Sequence, residues 1–420
     1  MRAALTRLLE GGRTLAATVR PAAEWELSSL LVNAAERNKP IEIAGAGTKR
    51  GVGRAIQAAL TISTTGMNGI TLYEPTELVM SARAGTPVSK IEAELASRGQ
   101  MLPFEPVDLG PALGGALDRG TIGAVFATNL SGARRVATGA ARDHLLGVRA
   151  INGRGEVFKS GGRVLKNVTG YDVARGLAGS WGTLAVMTEV TFKVMPRPER
   201  TATLLLSGLT DELAAEVMCQ AMGTPYEVSG AVHLPATMAA RLETSGIVEA
   251  DRSVTALRIE NLASFVDYRC AKLSAHLAPY GKARILDGAD ALALWSELKR
   301  LSVLQHRTQP LWRLSTAPTS GAKVVSAISR YMPVAAFYDW SGGLIWMEVP
   351  ESADAGATDI RRVIAQYGGH ATLIRADVGV RAAVEVFQPL EPGIDRLSRK
   401  LKASFDPAGI LNPGRMHAAA

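Results

Sequence analysis

Cysteine is almost missing from this chain of 420 residues: Cys219 and Cys270 are its two. Each falls inside a helical pattern, which marks a buried thiol rather than a disulfide or a ligand pair. No cysteine cluster exists to hold zinc or an iron–sulfur centre. Histidine is equally thin: His144, His233, His276, His306, His370 and His417 are dispersed without metal-ligand spacing, so no metal is expected. No stretch of about 18 apolar residues appears, which excludes a membrane-spanning helix. The first twenty residues lack an uninterrupted apolar core and a small-residue cleavage site, so no signal peptide is expected and the protein reads as cytoplasmic. The net charge of +8 suits acidic partners, anionic substrates or a membrane surface. Lys and Arg are nevertheless scattered without aromatic interleaving, which reads as a solvated surface and not as a nucleic-acid site.

Glycine is what the chain has in excess, 42 residues, gathered most densely between Gly110 and Gly182. Around it the periodicities alternate. Leu27, Leu30, Leu31, Ala34 and Ala35 give one apolar helical face over 21–38. A strand over 41–44 runs straight into glycine. A helix begins at Thr86-Pro87, with Thr86 as N-cap and Val88, Ile91 and Leu95 as its apolar face. Strands are expected over 146–158 and 183–195. Pro196 and Pro198 then interrupt the chain, and a domain boundary is placed there.

Beyond it the style changes to strand–helix–strand–strand–helix: 201–207, a helix opened by Thr210 and stopped by Gly223, 228–234, 254–259, and a helix from Ser264. A similar order returns with 311–316, 320–331, a hairpin of 334–340 and 344–349 across Ser341-Gly342-Gly343, a helix ending at Tyr367, and 371–375. Two β-α-β-β-α-β units match ferredoxin-like halves, which together would form one cap. The fold class is α+β.

Three loops carry the chemistry. Gly45-Ala46-Gly47-Thr48-Lys49-Arg50-Gly51 follows a strand, and its amides suit a concave nest for a pyrophosphate, with Lys49 and Arg50 adding charge. A plain tight turn explains the same pattern equally well. It is neither a P-loop nor a dinucleotide fingerprint, because Arg50 stands where the third glycine would be. The second loop runs from Gly120-Thr121-Ile122-Gly123 through Ser131-Gly132 to Gly139-Ala140-Ala141-Arg142-Asp143-His144. It reads as a short apolar helix between glycine turns, with Thr121 and Ser131 as hydroxyl donors. The third is Lys166-Asn167-Val168-Thr169-Gly170-Tyr171-Asp172 followed by Gly179-Ser180-Trp181-Gly182, with Asp172 capping a helix.

These segments, in this order, resemble the FAD-binding (PCMH-type) domain of the vanillyl-alcohol oxidase and p-cresol methylhydroxylase family of FAD-linked oxidases. The stretch Arg142 to Arg163 and the C-terminal Phe405 to Arg415 are similar to the GlcE-type subunits of bacterial glycolate oxidase in particular. The resemblance covers nearly the whole chain, is strongest over 99–198 and is weak in the cap. It implies two α+β subdomains over 1–197, a cap over 198–395 and a segment, 396–420, that returns to the first unit. By the same resemblance Gly45, Ala46, Gly47, Thr48, Lys49 and Arg50 wrap the FAD pyrophosphate. Thr121, Ile122, Gly123, Ser131 and Gly132 line pyrophosphate and flavin. Gly139, Asp143, Gly182 and Val186 lie on the adenine side, and Asn412 approaches the flavin ring. FAD is expected to be noncovalent, since the first loop carries no histidine to tether it.

The implied activity is oxidation of glycolate or a similar 2-hydroxy acid to the 2-oxo acid. Electrons would pass to a second flavin subunit and an iron–sulfur subunit, with peripheral association at the inner membrane through the complex. The alternative is an FAD-containing assembly or relay subunit with no oxidation of its own; the missing His-rich metal motif of related D-2-hydroxyacid dehydrogenases favours it. No catalytic residue is identified. His370 and Arg375 differ by an odd number and would face opposite sides of one strand.

Overall fold

A computed structural model describes residues 17–164, 170–244, 249 and 251–418. Residues Lys166 to Thr169 of the third loop lie outside them. The first helix, Glu24–Glu36, buries Leu27, Leu30, Leu31 and Ala34, the expected stripe. It packs on a three-stranded parallel sheet in the order Ala17–Val19, Leu60–Ser63, Ile41–Ala44.

Beside it lies a five-stranded antiparallel sheet in the order Ile70–Glu74, Val79–Arg83, Ala185–Lys193, Leu145–Asn152, Val157–Gly161. The single strand expected over 146–158 is thus two strands. Asn152-Gly153-Arg154-Gly155 is turn chemistry: the Asn152 Oδ1 accepts from the amides of Arg154 and Glu156, and Gly155 sits at φ +78°. Thr86 does not cap its helix either. Its hydroxyl donates to the Arg83 carbonyl at 2.6 Å to close a turn, Pro87 takes the cap position, and the helix is Val88–Ser97.

The second half builds an eight-stranded antiparallel sheet. Its first four strands in space are Arg284–Asp287, Arg200–Ser207, Val254–Asn261 and Val228–Leu234. Ala335–Asp339, Leu344–Glu348, Leu311–Ser315 and His370–Arg375 complete it. Each half is one ferredoxin-like unit, and the two join edge to edge where His233 pairs with Tyr338. Helices cover one face through Leu204, Val217, Leu273, Trp312 and Ile360. The opposite face packs Val232, Phe337 and Trp346 against Val107, Leu130 and Trp181 of the first half. A helix unforeseen from sequence, Gly288–Lys299, adds Leu294 and Trp295 to that inner layer.

A buried ionic network also crosses the junction. Glu105 takes two hydrogen bonds from Arg258, and Arg134 grips Glu260 with two of its own. Both cysteines are free; Cys270 is buried as expected, whereas Cys219 is only half-buried.

The chain end returns to the first sheet. After the helix Pro392–Phe405, the Ile41 amide donates to the Ile410 carbonyl at 2.8 Å and the Asn412 amide to the Ile41 carbonyl at 3.0 Å.

Candidate functional site

The strand Ile41–Ala44 ends at the mouth of an open cleft. The loop Gly45 to Arg50 forms one wall; Gly123, Ala124, Ala127 and Thr128 form another; Trp181, Gly182, Ala185, Val186 and Arg415 complete it. Apolar Ile43 is half-buried against the core and itself lines the cleft, and the glycines that follow sit at its surface.

The loop is held from behind. The Ser63 hydroxyl donates to the Gly45 carbonyl at 2.9 Å. A side chain on Gly45 is excluded, because its Cβ would sit 2.2 Å from the Thr121 Oγ1. Gly47 has φ +85°, a conformation that costs an L-residue. The main-chain amides of Ala46, Gly47, Thr48 and Lys49 find no acceptor among the described residues. Successive free amides of this kind make an anion nest. The Thr121 hydroxyl is buried and also without a partner.

Lys49 is 8% exposed, and its ammonium makes no hydrogen bond or ion pair among the described residues. Burial pushes its ammonium pKa down, against the pull of Asp108. A buried cation without an anion is costly. Arg50, by contrast, is engaged: its guanidinium grips Glu42 through both nitrogens that face it. It lines the cleft without bringing a free charge to it. Arg415 also lies against Glu42, at 3.8 Å, and donates to the Lys49 carbonyl at 3.1 Å. Burial lowers its pKa to about 10, with Glu42 opposing.

The short helix Ile122–Thr128 exists as expected. Ile122 points into the core, while Gly123 presses on Ala84, where a Cβ would meet another at 2.6 Å. Ser131, Gly132, Gly139 and Asp143 are not on the cleft wall. The Ser131 hydroxyl accepts the Ala141 amide, and the Gly132 carbonyl accepts the Trp340 indole N–H. Asp143 accepts the Ala140 amide across the turn that Gly139 opens at φ +89°. They form the frame behind the wall.

Asn412 is likewise one layer back. Its Oδ1 accepts the Ile43 amide at 2.8 Å, and its Nδ2 donates to the Trp181 carbonyl at 2.8 Å. Both ends of the amide are therefore engaged by main chain, and the expected direct approach to a ring is replaced by a clamp on two cleft walls. Gly182, at φ +70°, packs on that amide.

Trp181, Ala84, Thr128 and Arg415 line the cleft without having been singled out from sequence. Only Arg415 left a signal, a basic residue directly after Pro413-Gly414 in the returning tail. His370 and Arg375 do separate: Arg375 is buried on Glu348 at 2.8 Å, while His370 is exposed at the start of the strand. No cluster of three metal-binding side chains occurs among the described residues. Nor is any helix among them long and apolar enough to cross a membrane.

A family model described as an FAD binding domain matches residues 15–161. Glycolate oxidase subunit GlcE of Escherichia coli (strain K12) is 34% identical over 392 residues, covering 92% of this chain and 95% of that protein. Glycolate oxidase subunit GlcD of Bacillus subtilis (strain 168) is 26% identical, covering 96% and 89% respectively. Among solved structures, p-cresol methylhydroxylase with substrate bound superposes with a TM-score of 0.72 at 14% identity, over 100% of this chain and 93% of that one. This last likeness is one of fold.

Proposed function

Since this chain belongs to the GlcE family of FAD-linked oxidase subunits and is a flavoprotein, we propose that it holds FAD noncovalently in the cleft and oxidises a small 2-hydroxy acid such as glycolate. The observation that carries this reading is the set of four acceptor-less amides, Ala46 to Lys49, beside the unpartnered Lys49 ammonium. Together they supply what a pyrophosphate needs: converging N–H groups and one desolvated positive charge.

Bound flavin supplies a two-electron acceptor; the rest falls to side chains and backbone. Gly45 to Lys49 would wrap the diphosphate, and Arg50 and Arg415, both anchored on Glu42, would keep that loop closed. The unpartnered Thr121 hydroxyl, buried behind Gly45, would back that loop, and Gly123 on the cleft wall would lie along the ligand. Gly182 and Val186 would lie along the adenine side. Ile122, Ser131, Gly132, Gly139, Asp143 and Asn412 would act by positioning those walls. The division into an FAD unit over 1–197, a cap over 198–395 and a returning segment over 396–420 is part of the same proposal.

Onward transfer would require partners: a second flavin subunit and an iron–sulfur subunit. The helix Pro392–Phe405 supports assembly, because it is packed by its polar side. Lys402 turns inward to the carbonyls of Thr183 and Leu411, while Ile394, Leu397 and Leu401 are 54%, 65% and 43% exposed. An apolar stripe of that kind marks a protein interface. We assign it to another subunit of the complex, and any membrane contact would then be peripheral.

The second reading, an FAD-bearing relay subunit with no oxidation of its own, rests on the dispersed histidines. Purified protein tests the first step: it should be yellow and release intact FAD on denaturation, and a colourless protein that takes up no added FAD would refute the cleft assignment.

A further inference from the structure

The inner face of the eight-stranded sheet carries two guanidiniums around one indole. Arg313, on Leu311–Ser315, is 8% exposed, and its Cζ lies 5.0 Å from the Trp340 ring centre and 5.9 Å from that of Trp346. Arg135, half-buried on Arg135–Thr138, lies 4.2 Å over the same Trp340 ring. Neither side chain makes a hydrogen bond or ion pair among the described residues. Indole faces attract cations but cannot neutralise them. Burial and then Arg135 pull the Arg313 pKa down to about 10, and Asp339 alone opposes. Asp339 is a weak counter-ion, because burial raises its own pKa to about 7. One of its oxygens also already accepts the Trp340 amide at 2.6 Å.

The indole is held in place for this arrangement. Trp340 and Ser341 occupy left-handed backbone at φ +51° and +60°, a strained pair for residues with side chains. The Trp340 Nε1 donates to the Gly132 carbonyl at 3.0 Å. Gly132 lies on the loop that leaves the cleft helix, and Trp340 shares an apolar cluster with Trp181 of the cleft wall. His370 stands opposite Ser315 on the neighbouring strand. Partial desolvation and then the fields of Arg313 and Arg135 lower its pKa.

We propose that Arg313 and Arg135 form a carboxylate-binding subsite beside the cleft, with His370 at its rim. Guanidinium forks match a planar carboxylate with two parallel hydrogen bonds, and an anion placed here would balance the two unpaired charges. The choice of a carboxylate over a phosphate rests on the 2-hydroxy acid reading above; the pairing itself does not.

The test uses full-length, FAD-loaded protein and its Arg313→Gln, Arg135→Gln and Arg313→Lys variants. Acetate, glycolate and inorganic phosphate are titrated while tryptophan fluorescence and melting temperature are followed. Acetate cannot be oxidised at a hydroxyl, so its binding is independent of turnover. Acetate and glycolate should both change the fluorescence saturably and raise the parent's melting temperature. Each glutamine variant should bind them about tenfold more weakly or worse, the loss expected for a charged hydrogen bond. Arg313→Lys should fall between, keeping the charge but not the fork. Without ligand, Arg313→Gln should melt no lower than the parent, since it removes an unbalanced buried cation.

Unchanged carboxylate affinity in both glutamine variants, no saturable response to either carboxylate, or tighter binding of phosphate would each overturn the proposal. Carboxylate binding without flavin reduction would keep the subsite and sink the oxidation reading. Flavin reduction by glycolate that is equal in parent and variants would do the reverse.

Discussion

Glu105 of the first half accepts both guanidinium arms of Arg258 from the eight-stranded sheet, at 2.8 and 2.9 Å, with the arginine 1% exposed. This pair, extended by Arg134 and Glu260, is the ionic lock between the first half, which lines the cleft, and the eight-stranded sheet. Burial by itself would raise the Glu105 pKa; Arg258 and Arg134 overcome it and hold the carboxylate at about 2.

Removing one member of such a pair leaves an uncompensated buried charge. Glu105→Gln should therefore destabilise the folded chain by about 3–5 kcal/mol. The pH dependence follows from the depressed pKa. The contribution of Glu105 is fully present above the ordinary carboxylate pKa of 4.5 and is lost as pH falls from there through about 2. Denaturant unfolding at pH 7 and at acid pH should show the variant's deficit shrinking in acid; a deficit that is small at pH 7 or constant with pH would contradict the lock.

Lys49 gives a prediction of opposite signs. Lys49→Met replaces a buried, unpartnered ammonium with an apolar side chain of similar length. The apo-protein should become more stable, because the buried charge costs more than it returns. FAD affinity should fall by roughly ten- to a hundredfold, the range for a hydrogen bond to a charged group. Calorimetry on apo-protein and FAD titration measure the two separately. A variant that loses stability but keeps its affinity would place Lys49 in the frame and not at the diphosphate.

At Gly47 the test is steric. Gly47→Leu puts a side chain at φ +85°, at a cost of about 1–2 kcal/mol, which a domain of ordinary stability survives. Its Cβ meets nothing closer than the Arg50 Cδ at 3.3 Å, so the fold should remain while the nest is blocked. A folded variant with the parent's FAD affinity would show the loop to be a plain turn.

Much of this was readable in advance, and the gaps have physical reasons. Periodicity located the stripe of Leu27, Leu30, Leu31 and Ala34, both ferredoxin-like halves and the Thr210 cap, whose hydroxyl accepts the Leu213 amide. Local chemistry misled where two local signals competed: Asn152 and Gly155 turned an apparent long strand into a hairpin, and Thr86 served a turn instead of a helix. At the cleft, glycine positions were legible because a missing side chain is visible in sequence. Partners were not: nothing in the order of residues tells that Arg50 faces Glu42 eight positions away, or that Asn412 faces Ile43 and Trp181. The Arg313–Trp340–Arg135 group joins three distant segments and left no sequence signal.

The exposed stripe yields an assembly test. Leu397→Glu on Pro392–Phe405 alters a side chain that is 65% exposed and should change the isolated chain's stability by less than about 0.5 kcal/mol. The same change should abolish co-purification with the partner subunits. A complex that forms normally would move the interface elsewhere.

The central claim is that flavin bound in this cleft is reduced by a 2-hydroxy acid. It is tested most directly by loading this chain with a spectrally shifted FAD analogue, assembling it with its partner subunits, and mixing the complex with glycolate without oxygen. The account predicts that the analogue's visible band bleaches first, before the partner's flavin. Bleaching of the partner's flavin ahead of the analogue, or an analogue that stays oxidised throughout, would contradict it and leave the chain as a relay.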